Sequence, residues 1–123
     1  MARSPAELRR IAEDWIAAWN ARDLDAIMHH YADGIEFEAD TVARRWNKPD
    51  GKLRGIGELR EHFKRGLELA PALHFTLEQV FSVPSGYAVL YRRETGNRVI
   101  DAVELDSEGK AVKVRAFYGG EQK

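Results

Sequence analysis

A chain of 123 residues with 19 Lys and Arg against 20 Asp and Glu, a formal charge of −1, makes one domain with room for a single core. That balance leaves no overall field to draw in nucleic acid or an anionic membrane, so neither is expected as a partner. The absence of cysteine removes disulfides, thiolate metal sites and cysteine nucleophiles. No apolar run approaches the roughly 20 residues that span a bilayer. The opening segment, from Met1 to Glu7, lacks the apolar stretch of a secretory signal, and a cytoplasmic location is expected.

The first element starts on a capping box, Ser4-Pro5-Ala6-Glu7, in which a hydroxyl acceptor and a Glu three residues on satisfy free amides at a helix start. Leu8, Ile11, Ala12, Trp15 and Trp19 then recur at helical spacing, which predicts a helix from Pro5 to Asn20. Asp23 can cap a second helix with a stripe of Leu24, Ile27, Met28 and Tyr31, ending near Asp33-Gly34. Ile35 to Ala39 alternates as a half-buried strand.

From Asp40 to Arg54 no period is evident, and the segment reads as a long irregular loop, a usual place for lids and mobile connectors. Its Trp46 could cover a pocket mouth or pack on a surface. Its cations Arg44, Arg45, Lys48, Lys52 and Arg54 could steer an anionic ligand to the pocket, but they read first as ordinary solvated charge. A third helix carries Ile56, Leu59, Phe63, Leu67 and Ala70 on one face and stops at Pro71. Strands follow from Leu73 to Val83, with Leu73, Phe75, Leu77 and Phe81 on one face, from Tyr87 to Glu94, around Asp101, and from Lys110 to Tyr118.

The order helix, helix, strand, helix and then strands defines an α+β domain, a curved antiparallel sheet wrapped around three helices of the N-terminal half. The concave side of such a sheet encloses an apolar pocket, the default place to look for a ligand.

Asp101 is a lone carboxylate on an otherwise apolar strand face with Val99, Val103 and Leu105. Burial there favours the neutral acid and raises its pKa, as happens in functional pockets. A place at the sheet rim, hydrated or paired with an arginine, is the alternative. Trp19, Phe63 and Tyr118 are candidates for pocket wall and Tyr31 for a supporting hydroxyl, although aromatics at such spacings also serve as plain core. The histidines His29, His30, His62 and His74 form no recognisable ligand motif, so no metal is expected.

Trp15-Ile16-Ala17-Ala18-Trp19-Asn20-Ala21-Arg22-Asp23-Leu24-Asp25-Ala26-Ile27, then Tyr31-Ala32-Asp33 and the closing Arg115-Ala116-Phe117-Tyr118-Gly119, resemble the SnoaL-like and ketosteroid-isomerase-like proteins of the nuclear-transport-factor-2-like superfamily. The resemblance covers nearly the whole chain. It implies a cystatin-like cone, a homodimer, and a small apolar ligand handled without a cofactor by an isomerase, dehydratase or cyclase, or a protein that only binds or assembles. It places Asp101 where the family keeps a protonated aspartic acid that supports an oxyanion. Trp15 falls where the family has its tyrosine donor, and an indole N–H offers one hydrogen bond at most. The family's base aligns at Ala39, which makes Asp40, one position on, the candidate base, provided that the strand ends or bulges there. The outer sheet face, with Ile100, Ala102 and Phe117, is the expected dimer surface.

Overall fold

The computed structural model describes residues 3–119; Met1 and Ala2, part of the segment read for a secretory signal, lie outside them. The capping box forms as its residues dictate. Ser4 Oγ accepts from the Glu7 amide at 3.2 Å and Glu7 Oε1 accepts from the Ser4 amide at 2.9 Å, opening α1 (Pro5–Asn20). Asp23 caps α2 (Leu24–Met28) through the Ala26 amide. The chain continues through β1 (Tyr31–Glu38), α3 (Asp40–Trp46), β2 (Lys52–Arg54), α4 (Ile56–Leu69), β3 (Phe75–Val83), β4 (Gly86–Arg93), β5 (Arg98–Leu105) and β6 (Ala111–Tyr118).

The strands make one six-stranded sheet in the order β2-β1-β6-β5-β4-β3. The fold class is α+β, with α1 and α4 packed against the inner face of the curved sheet. All the pairings are antiparallel except β1 on β6, which is parallel. Between them lies a core in which Leu8, Ile27, Ile35, Leu53, Leu59 and Val89 are fully enclosed. At the β3–β4 turn a Cβ on Gly86 would stand 1.9 Å from the Val103 carbonyl oxygen, so only glycine fits.

Four local expectations change. The second helix stops at Met28, because Tyr31 pairs with Ala111 of β6 and opens β1; a register shift between Tyr31 and Glu36 takes up Asp33-Gly34. The segment expected to be an irregular loop holds α3 and the edge strand β2. Asp40 in the first turn and Arg44 and Arg45 in the last complement the helix dipole, and Asn47 ends the helix at φ 53°. The described residues thus hold four helices, not three. In β3, a bulge between Leu77 and Gln79 reverses the alternation, and Phe81 emerges on the outer face, 49% exposed.

Candidate functional site

The inner sheet face carries Asp101 and its neighbours into the space beneath α1 and α4. Asp101 lies opposite Val89 on β4 and Ala116 on β6, while Val99 lies opposite Tyr91 and Tyr118. The pleat therefore puts the Asp101 carboxyl between two tyrosines that are its diagonal neighbours. Asp101 is 3% exposed, and Oδ1 accepts from the Tyr91 hydroxyl at 3.3 Å. Burial raises its pKa to about 7, against the smaller opposing effect of the Tyr91 hydrogen bond. Near neutral pH both of its protonation states are accordingly populated.

Asp101 lines a cavity of about 310 Å³, the size of small-molecule sites. Trp19, Phe63 and Phe75 form its apolar walls, with Trp19 and Phe63 ring centroids 4.9 Å apart and Phe75 and Tyr91 4.5 Å apart. Leu69, 63% exposed, and the guanidinium groups of Arg45 and Arg93 also border it and mark its open side. The Trp19 indole N–H is buried and has no hydrogen-bond partner among the described residues.

One wall carries a polar chain that crosses from α3 to α4 and back to the sheet. Trp46 Nε1 donates to His62 Nδ1 at 3.2 Å, His62 Nε2 lies 3.3 Å from Thr41 Oγ1, and Thr41 Oγ1 lies 3.2 Å from the Tyr118 hydroxyl. Desolvation, aided by the nearby Arg45 charge, lowers the His62 pKa to about 4, which keeps the ring neutral. An indole N–H only donates, so Nδ1 is the acceptor and the ring proton sits on Nε2, directed at Thr41. Thr41 can then donate its own proton to Tyr118, leaving the Tyr118 O–H free for a ligand in the cavity that it lines.

The expected site residues divide. Asp101, Trp19, Phe63, Tyr118 and Trp15 all line the cavity. Trp15, however, gives its only donor to the Tyr31 hydroxyl at 2.8 Å, so it cannot serve an oxyanion. Tyr31 stands behind it, on a small void of about 10 Å³ that borders the far side of Asp101. Trp46 anchors His62 rather than capping the mouth. Asp40 is displaced altogether. It opens α3, its side chain is 68% exposed and it pairs with Arg44 at 3.0 Å. The strand does end before it, but the helix that begins there carries the carboxylate to solvent, outside the cavity of Asp101.

Tyr91, His62, Thr41, Arg45 and Arg93 are polar cavity residues that received no site role from the sequence. His62 had a visible signal, since it falls three residues after Leu59 on the buried stripe of α4. Among the described residues, no group of three or more His, Asp or Glu side chains is gathered to hold a metal ion, and no helix is long and apolar enough to cross a membrane.

The fold and the site define an α+β cone whose cavity contains, among the described residues, a single buried carboxyl group. The SnoaL-like domain model matches residues 12–118, and the chain belongs to that family. A SnoaL-like protein of unknown function from Burkholderia thailandensis E264 is 31% identical, superposes with a TM-score of 0.92, and the match covers 98% of this chain and all of that one. Two more distant structures share the fold. One is a cystatin-like protein of unknown function from Methylobium petroleophilum PM1, with 16% identity, TM-score 0.75 and coverage of 100% of this chain and 82% of that one. The other is an NTF2-like protein of unknown function from Cytophaga hutchinsonii, with 11% identity, TM-score 0.71 and coverage of 91% and 89%.

Proposed function

We propose that this protein is a cofactor-free enzyme that moves a proton on a small, largely apolar carbonyl or enol compound, as an isomerase, dehydratase or cyclase does. The observation that carries the reading is Asp101, buried in a ligand-sized cavity with a pKa close to the working pH, where a group can both take and return a proton. As the carboxylate, Asp101 accepts a proton from a carbon next to the carbonyl. The C–H electron pair moves into the new C=C bond, and the carbonyl pair moves to oxygen. Tyr118 donates a hydrogen bond to that oxygen, held in place by Thr41, His62 and Trp46. Asp101, now neutral, returns the proton to a second carbon.

With Asp40 outside the cavity, the chemistry falls to one carboxyl group instead of two. The absence of a second carboxylate among the described residues of the cavity favours a competing reading, a protein that binds such a ligand without transforming it. Proton NMR of cyclic enones and 1,3-dicarbonyl compounds in D₂O distinguishes the two. Exchange at the carbon next to the carbonyl should be faster with the native protein than with Asp101→Asn. Saturable binding with equal exchange rates would leave only the binding reading. The proposal also takes the protein to be a homodimer joined through the outer sheet face, where Phe81, Val83, Ile100 and Phe117 are exposed.

A further inference from the structure

Two arginines, Arg45 and Arg93, border the open side of the cavity. Arg45 sits in the last turn of α3, and its Nη1 lies 3.5 Å from the point a Cβ on Gly66 of α4 would occupy. The guanidinium thus lies against α4 at the cavity edge. Its neighbours are neutralised: Arg44 pairs with Asp40 at 3.0 Å and Lys48 with Glu58 at 3.6 Å. Arg45 has no carboxylate within 4.0 Å among the described residues, although it is partly desolvated, a combination that a bound anion would relieve.

Arg93 faces the same cavity from the end of β4. Glu94 takes its Nε at 3.1 Å and Nη2 at 2.9 Å, and the guanidinium lies 5.8 Å from the Phe75 ring centroid. Those contacts hold Arg93 in position and leave Nη1 available. Both arginine charges also bear on Tyr118, where they favour the ionised phenol against the effect of burial. Two guanidinium groups therefore act on the hydroxyl end of the polar chain, that of Arg93 offset by Glu94, and Asp101 is the only carboxylate among the described residues that line the cavity.

We infer that the ligand is an apolar acid: an aromatic or alicyclic molecule whose carboxylate is held by Arg45, with Arg93 assisting, while its ring system lies against the wall formed by Trp19, Phe63 and Phe75. This deepens the proposed function and rests on its reading of the same cavity. It narrows the substrate class to carbonyl or enol compounds that also carry a carboxylate.

Isothermal titration calorimetry with 2-naphthoate and its neutral counterpart 2-naphthamide tests the inference. The native protein should bind the naphthoate about 10-fold or more tightly than the amide, the size of a charge-assisted hydrogen bond. Arg45→Gln should remove most of that preference while leaving amide affinity unchanged, and Arg45→Gln with Arg93→Gln should remove the rest. Arg44→Gln makes the same change in net charge outside the cavity and should keep the preference. Thermal unfolding confirms that each variant is folded. Equal affinity of the native protein for the two probes would overturn the inference and leave the pocket reading standing, as would equal losses in Arg44→Gln and Arg45→Gln. Failure of both probes to bind would overturn the two together. Retained preference for the acid, with no proton exchange on any carbonyl compound, would remove the catalytic reading and keep this one.

Discussion

Tyr91 and Asp101 are diagonal neighbours on adjacent strands, with the phenol of the first donating to Oδ1 of the second across 3.3 Å in a buried setting. That bond favours the carboxylate, while desolvation favours the acid and prevails. Tyr91→Phe keeps the ring stacked on Phe75 and deletes only the donor. The Asp101 pKa should move upward from about 7, and the pH midpoint of any activity or ligand affinity that depends on the carboxylate should move with it. A ¹³C-carboxyl NMR titration measures the shift directly; an unchanged or lower midpoint would show that the bond does not act on the ionised form.

Asp101 also gives stability a defined pH dependence. Its folded pKa of about 7 lies above the ordinary value of 3.8, so the unfolded chain loses this proton first as pH rises. Below about pH 4 the residue costs nothing. The cost grows between pH 4 and 7 and is constant above, at roughly 4 kcal/mol. His62 acts in the opposite sense. Its pKa of about 4 in the folded chain, against 6.5 ordinarily, means that stability falls as pH drops from 6.5 towards 4. The two effects offset one another in the native protein. In Asp101→Asn the first is absent, so stability relative to native should increase progressively between pH 4 and 7 and then level off. Urea unfolding at several pH values tests this, and a stability difference that is flat across that range would refute it.

Asp101 was legible because period 2 on a strand is a strong signal and a carboxylate interrupts it visibly. The capping box of α1 was legible for the same reason, being complete within four residues. Asp40 was misjudged because the seven-residue α3 is too short for its own periodicity and exists through its packing and through charges that suit its dipole. Phe81 was misplaced because one bulge, invisible in composition, reverses every later side chain of β3. His62, Thr41 and Tyr118 are far apart in the chain and meet only when α3, α4 and β6 pack together. No local pattern encodes that meeting. Arg45 was hidden in plain view among four other cations that do face outward in ion pairs.

The polar chain fixes a tautomer. His62 should be neutral with its proton on Nε2 throughout the physiological range, because Trp46 occupies Nδ1 as a donor. Long-range ¹H–¹⁵N NMR of the imidazole reads this out. Trp46→Phe should leave Nδ1 without a donor, allow the second tautomer to be populated, and cost on the order of 1 kcal/mol in stability. A native ring protonated on Nδ1 would overturn the assigned direction of the chain and with it the free Tyr118 proton.

The two indoles of α1 differ in what they can offer a ligand. Trp15 is committed to Tyr31 at 2.8 Å, whereas the Trp19 N–H is buried without a partner among the described residues. An unpaired buried donor is costly and gains when an acceptor arrives. Titration with a carbonyl ligand should therefore shift the Trp19 indole ¹H–¹⁵N resonance downfield and leave that of Trp15 nearly in place, with Trp19→Phe and Trp15→Phe providing the assignments. Movement of the Trp15 resonance alone would place the ligand against the wrong indole.

The outer sheet face is where self-association should occur. Ile100 pairs across the ladder with Phe117, and Phe81 with Ala88, which is in turn opposite Ala102. Beside Phe81, the small residues Ala88 and Ala102 leave a groove of about 360 Å³, lined also by Lys113 and Arg115. A second copy related by a two-fold axis presents the same surface, so one substitution acts twice across the interface. Light scattering at micromolar concentration should give the mass of a dimer, and Phe117→Asp, at an exposed position that leaves the core intact, should give a monomer of unchanged fold. A monomeric native protein would refute the arrangement. A dimer that survives both Phe117→Asp and Ile100→Asp would place the interface on another surface.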